Sequence, residues 1–347
     1  MITRRSMLGS AVLAGVAPLM TVSPARSQSP VPVRPPRLIP GDSVGLIDPA
    51  GATFETFDIQ LVTEALAALG LKARPGANLM ARYGYLGGTD AQRAADVNAH
   101  FADSSVNAIL AVRGGWGCAR MIPHLDYDLI HRNPKVLAGY SDVTALHLAV
   151  HAKTGLVTFH APVGISAWGA FSVDWFRRVA FDGEAVTMKN RAGTEDRLAQ
   201  REFRIQTITP GRARGRLIGG NLTVLSAIVG TPFLPDLAGA LLFLEDIDER
   251  IYRIDRMLTQ LKLAGILGRV TGVVFGHCTD CSPSDGGYGS LTLEEVLRDH
   301  LKPLGVPAFS GAMIGHIRDQ FTVPIGVEAE IDASAGTITM LEPAVTP

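Results

Sequence analysis

A glycine-rich segment that follows an apolar run is the first candidate for chemistry. Residues 106–112, of sequence VNAILAV, are apolar apart from Asn107, as expected of a strand buried on both faces, and they lead into residues 113–118, of sequence RGGWGC. The glycines permit a sharp turn, and a helix can begin at or just after Cys118. A thiol at a helix N-terminus is favoured as the thiolate, and the N–H of Ala119 points to where an oxyanion would develop. The pattern indicates a cysteine nucleophile on a strand-to-helix turn.

Two other interpretations of this segment stay open. A glycine-rich turn before a helix can hold a phosphate, although no lysine follows the last glycine and neither common nucleotide-binding motif is present. Cys118, beside Trp116, can also be a small buried hydrophobic residue. The spacing alone does not decide between these alternatives.

A thiol nucleophile needs a base and a group that orients the base. The chain has nine histidines, and the sequence alone does not select one. His147 and His151 are spaced as a helical metal pair, but Leu148 stands where a metalloprotease has glutamate, so a core or surface role is favoured. His316 lies in a predicted loop between strands, and Glu245 lies at the carboxyl end of a buried strand, where sites of α/β proteins collect.

Composition restricts the class of protein. A chain of 347 residues, 47% apolar and 19% charged, is globular and long enough for two domains. The net charge of -1 gives no indication of a nucleic-acid partner. The three cysteines exclude a small disulfide-stapled domain. Cys278 and Cys281 resemble half a zinc site, but no second pair follows, so we expect a buried thiol pair or a disulfide and no bound metal.

The N-terminus has the features of an export signal. Arg4 and Arg5 form a twin-arginine pair, a short interrupted apolar stretch follows to Val22, and residues 25–27 have the form of a cleavage site. We therefore predict that residues 1–27 are a removed twin-arginine signal, that residues 28–37 are a linker, and that the protein is periplasmic. No stable membrane span is expected after cleavage.

Short apolar runs alternate with helical periodicity from Ser43 onward, which is typical of βα units and a parallel sheet. The alternation stops between about residues 170 and 215 and then resumes. We predict an N-terminal α/β domain at 38–170, an inter-domain segment at 171–211 and a second α/β domain at 212–347.

Several long motifs occur in order along the chain. They are YLGGTD at 85–90, RGGWG at 113–117, LDY at 125–127, GYSDVTALH at 139–147, TFHAP at 158–162, GGNL at 219–222, LED at 244–246, YRIDRML at 252–258 and IGH at 314–316. Together they resemble the LD-carboxypeptidases (muramoyltetrapeptide carboxypeptidases) and their relatives that confer microcin C resistance. The resemblance covers essentially all of the mature chain.

The resemblance implies a fold and a catalytic set. The fold is a Rossmann-like parallel-sheet domain, similar to class I glutamine amidotransferases, followed by a smaller swivelling β/β/α-type domain, and the family resemblance favours a homodimer. The implied site is a Ser–His–Glu triad that uses no metal or other cofactor. We assign its histidine to His316, its glutamate to Glu245 and its serine to position 118, where this chain has cysteine.

The implied activity is hydrolysis of the bond between a diamino acid and terminal D-alanine in a murein tetrapeptide. The expected oxyanion donors are Ala119 and Gly88. The expected substrate-binding residues are Arg113, Trp116, Ser141 and Asp142, and Ser141 is also the second candidate for the nucleophile.

Two other functions stay open. One is hydrolysis of a peptidyl-nucleotide of the microcin C type, and the other is periplasmic binding of muropeptides without catalysis. The second would follow if the cysteine at position 118 had replaced an essential serine.

Overall fold

The computed structural model describes residues 31–192, 198–200, 203–283 and 289–347. The predicted signal at 1–27 and the start of the predicted linker lie outside the described residues, so both stay predictions. Within the described ranges, no helix combines the length and apolarity that crossing a membrane requires.

The first sheet has six strands, and five of them are parallel. Three of them are buried throughout, which explains the apolar runs of the sequence at Ser43–Ile47, Ala108–Ala111 and Val136–Gly139. The strands are β1 (Ser43–Ile47), β2 (Lys72–Pro75), β3 (Ala108–Ala111), β4 (Val136–Gly139), β5 (Thr158–His160) and β12 (Val323–Ile325). In spatial order the sheet runs β2-β1-β3-β4-β5, and the antiparallel strand β12, from late in the chain, completes it.

Helices connect these strands, and local sequence sets several of their ends. Thr89 and Gln92 form a capping box at the start of α2, and Gly155, in a left-handed conformation, ends α5. The helices are α1 (Thr56–Ala68), α2 (Asp90–Ala102), α3 (Cys118–Met121), α4 (Tyr127–Arg132), α5 (Val143–Thr154) and α6 (Ala170–Ala180), with a short 3₁₀ turn at Ile122–His124.

The second sheet has eight strands in the order β6-β14-β13-β8-β9-β10-β11-β7. Its centre, β8 to β11, is parallel, and the strands on either side are antiparallel. The strands are β6 (Thr187–Lys189), β7 (Gln206–Thr209), β8 (Arg212–Asn221), β9 (Leu241–Ile247), β10 (Gly272–Thr279), β11 (Ala308–Ser310), β13 (Glu328–Asp332) and β14 (Thr337–Met340). The helices are α7 (Leu222–Ala227), α8 (Ile251–Leu263) and α9 (Leu293–Leu301), with a 3₁₀ turn at Lys302–Leu304.

The predicted mixed α/β fold, with a parallel first sheet and a second sheet domain, is confirmed. The chain nevertheless passes between the two units more than once. Strands β6 and β7 lie in the predicted inter-domain segment 171–211 but belong to the second sheet, whereas β12, from the second half, closes the first. Strands β6 and β7 are short and mostly polar, and β12 contains Pro324, so none of them is recognisable in the sequence as a buried strand.

One apolar cluster extends through both units. It includes Phe159 of β5, Phe243 of β9 and Ile325 of β12, all of them fully buried. Because protein interiors are close-packed, this shared core fixes the relative position of the two sheets and of the residues at their strand ends.

Candidate active site

A strained turn joins β4 to α5. The serine corner (residues 139–143) runs from the last residue of β4 to the first of α5, and Ser141 in its middle has a φ of 66°. This left-handed conformation costs a residue with a side chain about 1 kcal/mol or more, and such strain concentrates at functional sites. A serine on a sharp strand-to-helix turn is the geometry of a nucleophile elbow.

Ser141 begins a chain of two hydrogen bonds. Its Oγ lies 2.9 Å from Nε2 of His316, and Nδ1 of the same imidazole lies 2.8 Å from Oε2 of Glu245. Glu245 is fully buried, and His316 is partly exposed. Since an ionised carboxylate only accepts, Nδ1–H donates to Glu245, which leaves Nε2 to accept from the serine hydroxyl. This is the arrangement of nucleophile, base and orienting group.

Glycine at position 315 permits the histidine loop (residues 311–322, which carry His316) to contact β9. Gly315 has a φ of 121°, and a Cβ there would lie 2.8 Å from Oε2 of Glu245. Any larger residue would therefore be strained and would also collide with the carboxylate that orients His316.

The glycine-rich corner (residues 113–118) packs directly against the serine corner. A Cβ on Gly114 would lie 2.9 Å from the Cβ of Ser141 and 3.0 Å from its Oγ. The two corners and His316 line an open cleft of about 290 Å³, whose remaining wall is formed by Val163, Ile165 and Ser166. Residues from both halves of the chain, Ser141 and His316 among them, therefore line one cleft.

Cys118 is not the residue that His316 contacts. Its side chain is fully buried, and its N–H donates to Oδ2 of Asp142 at 2.8 Å. Burial, together with the charge of Asp142, raises the pKa of the Cys118 thiol well above its usual value. The expected activation by a helix N-terminus is opposed by this environment, and α3 is only four residues long. The expected pair of Cys118 and His316 is therefore corrected to Ser141 and His316.

Asp142 has a different setting from the one expected. It is buried, and its carboxylate, whose pKa burial raises, accepts from the main chain of Cys118 instead of pointing into the cleft. This hydrogen bond links the glycine-rich corner to the serine corner. Ala119 follows the buried Cys118, whereas the residue that follows Ser141 is Asp142 itself. Gly88 packs against Ala81 and Gln92 at the start of α2.

Arg113 and Trp116, the other expected substrate-binding residues, lie on the glycine-rich corner. Arg113 lines the cleft, and its Nη1 donates to the carbonyl of Ala52 at 3.0 Å. Trp116 is about half exposed and packs edge-to-face on Tyr85, with the ring centroids 5.8 Å apart.

The side chains of the two candidate metal motifs are bonded to groups of the protein itself. Cys278 and Cys281 form a disulfide. His147 and His151 are buried against the carbonyls of Gly139 and Leu156, and burial lowers the pKa of each to about 4. Among the described residues, no group of three or more His, Cys, Asp or Glu side chains is arranged to hold a metal ion.

The sequence already contained a signal for Ser141. The apolar run at Val136–Gly139 is followed by Tyr140, then by Ser141 and a helix start, which is the same strand–turn–helix order as at Cys118. The three glycines at 114, 115 and 117 favoured Cys118 as the nucleophile, whereas in the structure His316 contacts Ser141.

Comparison with known proteins identifies relatives along most of the chain. Residues 44–161 match the LD-carboxypeptidase N-terminal domain, and residues 214–331 match the LD-carboxypeptidase C-terminal domain. A Bacillus subtilis protein named "Probable murein peptide carboxypeptidase" is 38% identical over 304 residues, which cover 88% of this chain and 93% of the relative. The murein tetrapeptide carboxypeptidase of Pseudomonas aeruginosa is 32% identical over 300 residues, covering 84% and 93%.

A solved structure titled as MccF in complex with glutamyl sulfamoyl guanosine has the same fold. It superimposes with a TM-score of 0.81 at 25% identity, covering 91% of this chain and 100% of that one. The resemblance noted in the sequence is therefore confirmed, and with it the expected class of enzyme, a hydrolase. The chain belongs to the LD-carboxypeptidase family.

Proposed function

We propose that this protein is a serine carboxypeptidase that removes terminal D-alanine from murein tetrapeptides by cleaving its bond to the preceding diamino acid. The observation that carries the proposal is the hydrogen-bonded chain from Ser141 through His316 to Glu245. The names of the Bacillus subtilis and Pseudomonas aeruginosa relatives support murein peptides as the substrate class.

The geometry supports an acyl-enzyme mechanism. His316 Nε2 takes the proton of the Ser141 hydroxyl as Oγ attacks the scissile carbonyl, while Glu245 holds the imidazole in the required tautomer and stabilises its charged form. The imidazolium then protonates the nitrogen of D-alanine, which leaves. Water, deprotonated by His316, hydrolyses the ester and restores the serine.

The developing oxyanion needs donors close to Ser141. The N–H of Asp142, the residue after the nucleophile, is one donor that an elbow of this kind provides. Gly114 of the glycine-rich corner packs against Ser141, so the second proposed donor to the oxyanion is a main-chain N–H of this corner. These two replace Ala119 and Gly88 in the proposal.

Arg113 is proposed to bind the terminal carboxylate of the substrate. A carboxypeptidase must recognise that carboxylate, and the planar guanidinium can do so with two parallel hydrogen bonds. The side chain lines the cleft beside Ser141 and gives one N–H to the carbonyl of Ala52, so the same guanidinium has further donors to offer.

Export through the twin-arginine route, action in the periplasm and assembly as a homodimer also belong to the proposal. The Cys278–Cys281 disulfide supports export, because disulfides persist in oxidising compartments. Cell fractionation and gel filtration of the mature chain test these points.

Mass spectrometry of a defined substrate tests the activity. The purified protein is incubated with murein tetrapeptide, with the tripeptide that lacks D-alanine, and with a pentapeptide ending in D-alanyl-D-alanine. We expect free D-alanine and tripeptide from the tetrapeptide only, and none with Ser141→Ala. Unchanged tetrapeptide with the wild-type protein would contradict the proposed activity, and release by Ser141→Ala would contradict the nucleophile.

A second candidate function rests on the similarity to MccF. That structure holds an aminoacyl sulfamoyl nucleoside, so the same protein should be incubated with glutamyl sulfamoyl guanosine. Its cleavage, in the absence of tetrapeptide cleavage, would favour the peptidyl-nucleotide function. The idea of a binding protein without catalysis depended on cysteine replacing the nucleophile, and the contact of Ser141 with His316 removes that reason.

A further inference from the structure

We propose that Thr279, held in place by the Cys278–Cys281 disulfide, is a positioning residue for His316. It fixes the main chain of the histidine and ties it to the segment that follows Glu245. The inference rests on the proposed function, because that function gives His316 its role as base.

Thr279 is the last residue of β10 and makes contacts in two directions. Its Oγ1 donates to the carbonyl of His316 at 2.9 Å, and its own carbonyl accepts from the N–H of Asp248 at 2.8 Å. Its register partner in β9 is Ile247, two residues after Glu245. Thr279 therefore links the two elements that carry the base and the carboxylate.

The same strand end holds the histidine loop at a second point. The N–H of His277 donates to the carbonyl of Ile314 at 2.9 Å, two residues before His316. Gly276 permits this approach, because a Cβ there would lie 2.4 Å from the carbonyl oxygen of Ile314. The histidine loop is thus bound to β10 on both sides of Gly315.

The disulfide encloses Thr279. Its cysteines lie directly before Thr279 and two residues after it, and Asp280 between them has a φ of 55°. Asp248, which donates to Thr279, has a φ of 54°. Two non-glycine residues in the left-handed region cost free energy, so the surrounding contacts must hold them there. The covalent bond across residues 278–281 is one such restraint on Asp280.

The consequence for catalysis concerns orientation rather than binding. Thr279 touches the main chain of His316 and is not among the residues that line the cleft. A base displaced by about 1 Å can lower the rate about 100-fold, whereas substrate contacts are unaffected. Loss of the Thr279 hydroxyl should therefore lower kcat and leave KM unchanged.

Replacing the hydroxyl by a methyl group of similar size tests the inference. We expect Thr279→Val to lower kcat about 10-fold with KM within about twofold, and Thr279→Ser to restore most of the rate because it keeps the donor. Thr207→Val is the matched control, since it removes a hydroxyl–carbonyl bond of 2.8 Å to Ala333 elsewhere on the same sheet. A wild-type kcat in Thr279→Val would overturn the inference, as would an equal loss in the control.

Reduction tests the role of the disulfide. Dithiothreitol should lower kcat of the wild-type protein several-fold, and the double variant Cys278→Ser, Cys281→Ser should start at the reduced value and not respond further. Thermal unfolding of each variant shows whether the fold persists. A double variant that folds and has the wild-type kcat would remove the disulfide from the inference.

A probe that does not depend on the substrate separates this inference from the proposed function. A fluorophosphonate modifies a serine activated by a neighbouring base, so its rate at Ser141 reports the Ser141–His316 pair directly. Slower modification of Thr279→Val than of wild type supports the positioning role even if murein tetrapeptide is not cleaved. Equal rates of modification contradict it even if tetrapeptide is cleaved.

Discussion

The glycine-rich corner and the serine corner are alike in sequence order and opposite in environment. Both follow a buried parallel strand and both precede a helix. At the first, burial and then the neighbouring Asp142 carboxylate raise the pKa of the Cys118 thiol. At the second, Ser141 faces a cleft and contacts an imidazole. A reactive residue type at a suitable turn is thus not enough, because the neighbouring groups decide whether it can ionise and reach a substrate.

The two corners also contact each other directly. Asp142 of the serine corner accepts from the main chain of Cys118, and Gly114 of the glycine-rich corner lies against Ser141. The first corner supports the second and shapes the wall of the cleft.

The largest expected effect separates the two candidate nucleophiles. Ser141→Ala should lower kcat about 10,000-fold or more, because it removes the attacking atom. Cys118→Ala should stay within about fivefold of wild type, because its thiol does not face the cleft. Steady-state kinetics of D-alanine release measure both. A larger loss in Cys118→Ala than in Ser141→Ala would reverse the assignment of the two corners.

Removing the charge of the orienting carboxylate should have the next largest effect. Glu245→Gln keeps the size of the side chain but no longer stabilises an imidazolium or fixes its tautomer, so kcat should fall about 1,000-fold. Glu249→Gln, four residues further along, is the matched control and should change kcat little. Comparable losses in both variants would mean that the charge of this region, and not the contact with His316, is what matters.

The contact between the two corners should have a smaller effect. Gly114→Ala places a methyl group 2.9 Å from the Cβ of Ser141, so one corner must move. We expect kcat to fall about 10- to 100-fold, since displacements of this size disturb the geometry of attack. Gly268→Ala is the control, because a Cβ there meets nothing within 4 Å. Unchanged kinetics in Gly114→Ala would show that the corners tolerate separation.

Acid should destabilise the protein through buried histidines behind the serine corner. The folded-state pKa of His147 is about 4, below its usual 6.5, because burial disfavours the charged form. The stabilisation is therefore present above about pH 6.5 and is lost as the pH falls towards 4. Between pH 7 and pH 5 this group should lower the free energy of unfolding by about 2 kcal/mol.

Urea unfolding at both pH values, compared between wild type and His147→Gln, measures that loss. The variant should show a shallower decline with falling pH. Asp246 contributes in the opposite direction, because burial raises its pKa to about 6, so it adds stability as the pH falls through 6. An equally steep decline in the variant would mean that His147 is not the group that takes up the proton.

Much of the fold could be predicted from residue patterns. The buried strands β3 and β4 appear as apolar runs, and the start of α2 as a capping box. The short strands β6, β7 and β12 could not be assigned to their sheets, because β6 and β7 are mostly polar, β12 contains Pro324, and their partner strands lie far away in sequence. For the same reason the sequence did not show that β6 and β7 pair within the second sheet and β12 within the first.

The site was predictable in part. The loop and the strand end made His316 and Glu245 candidates among several, the family resemblance assigned them as base and orienting carboxylate, and the structure brings them together. The choice between Cys118 and Ser141 required knowing that Cys118 is buried and that Ser141 is partly exposed and contacts His316. Neither quantity is encoded in local spacing.

The late strand β12 has a consequence for synthesis of the protein. Residues 323–325 form the outer edge of the first sheet, beside β5. Nearly the whole polypeptide must therefore be synthesised before the first sheet, whose other five strands lie between residues 43 and 160, can be completed. Until then the backbone groups of β5 on that side lack their partner, and an unfinished or truncated chain would offer them to other molecules.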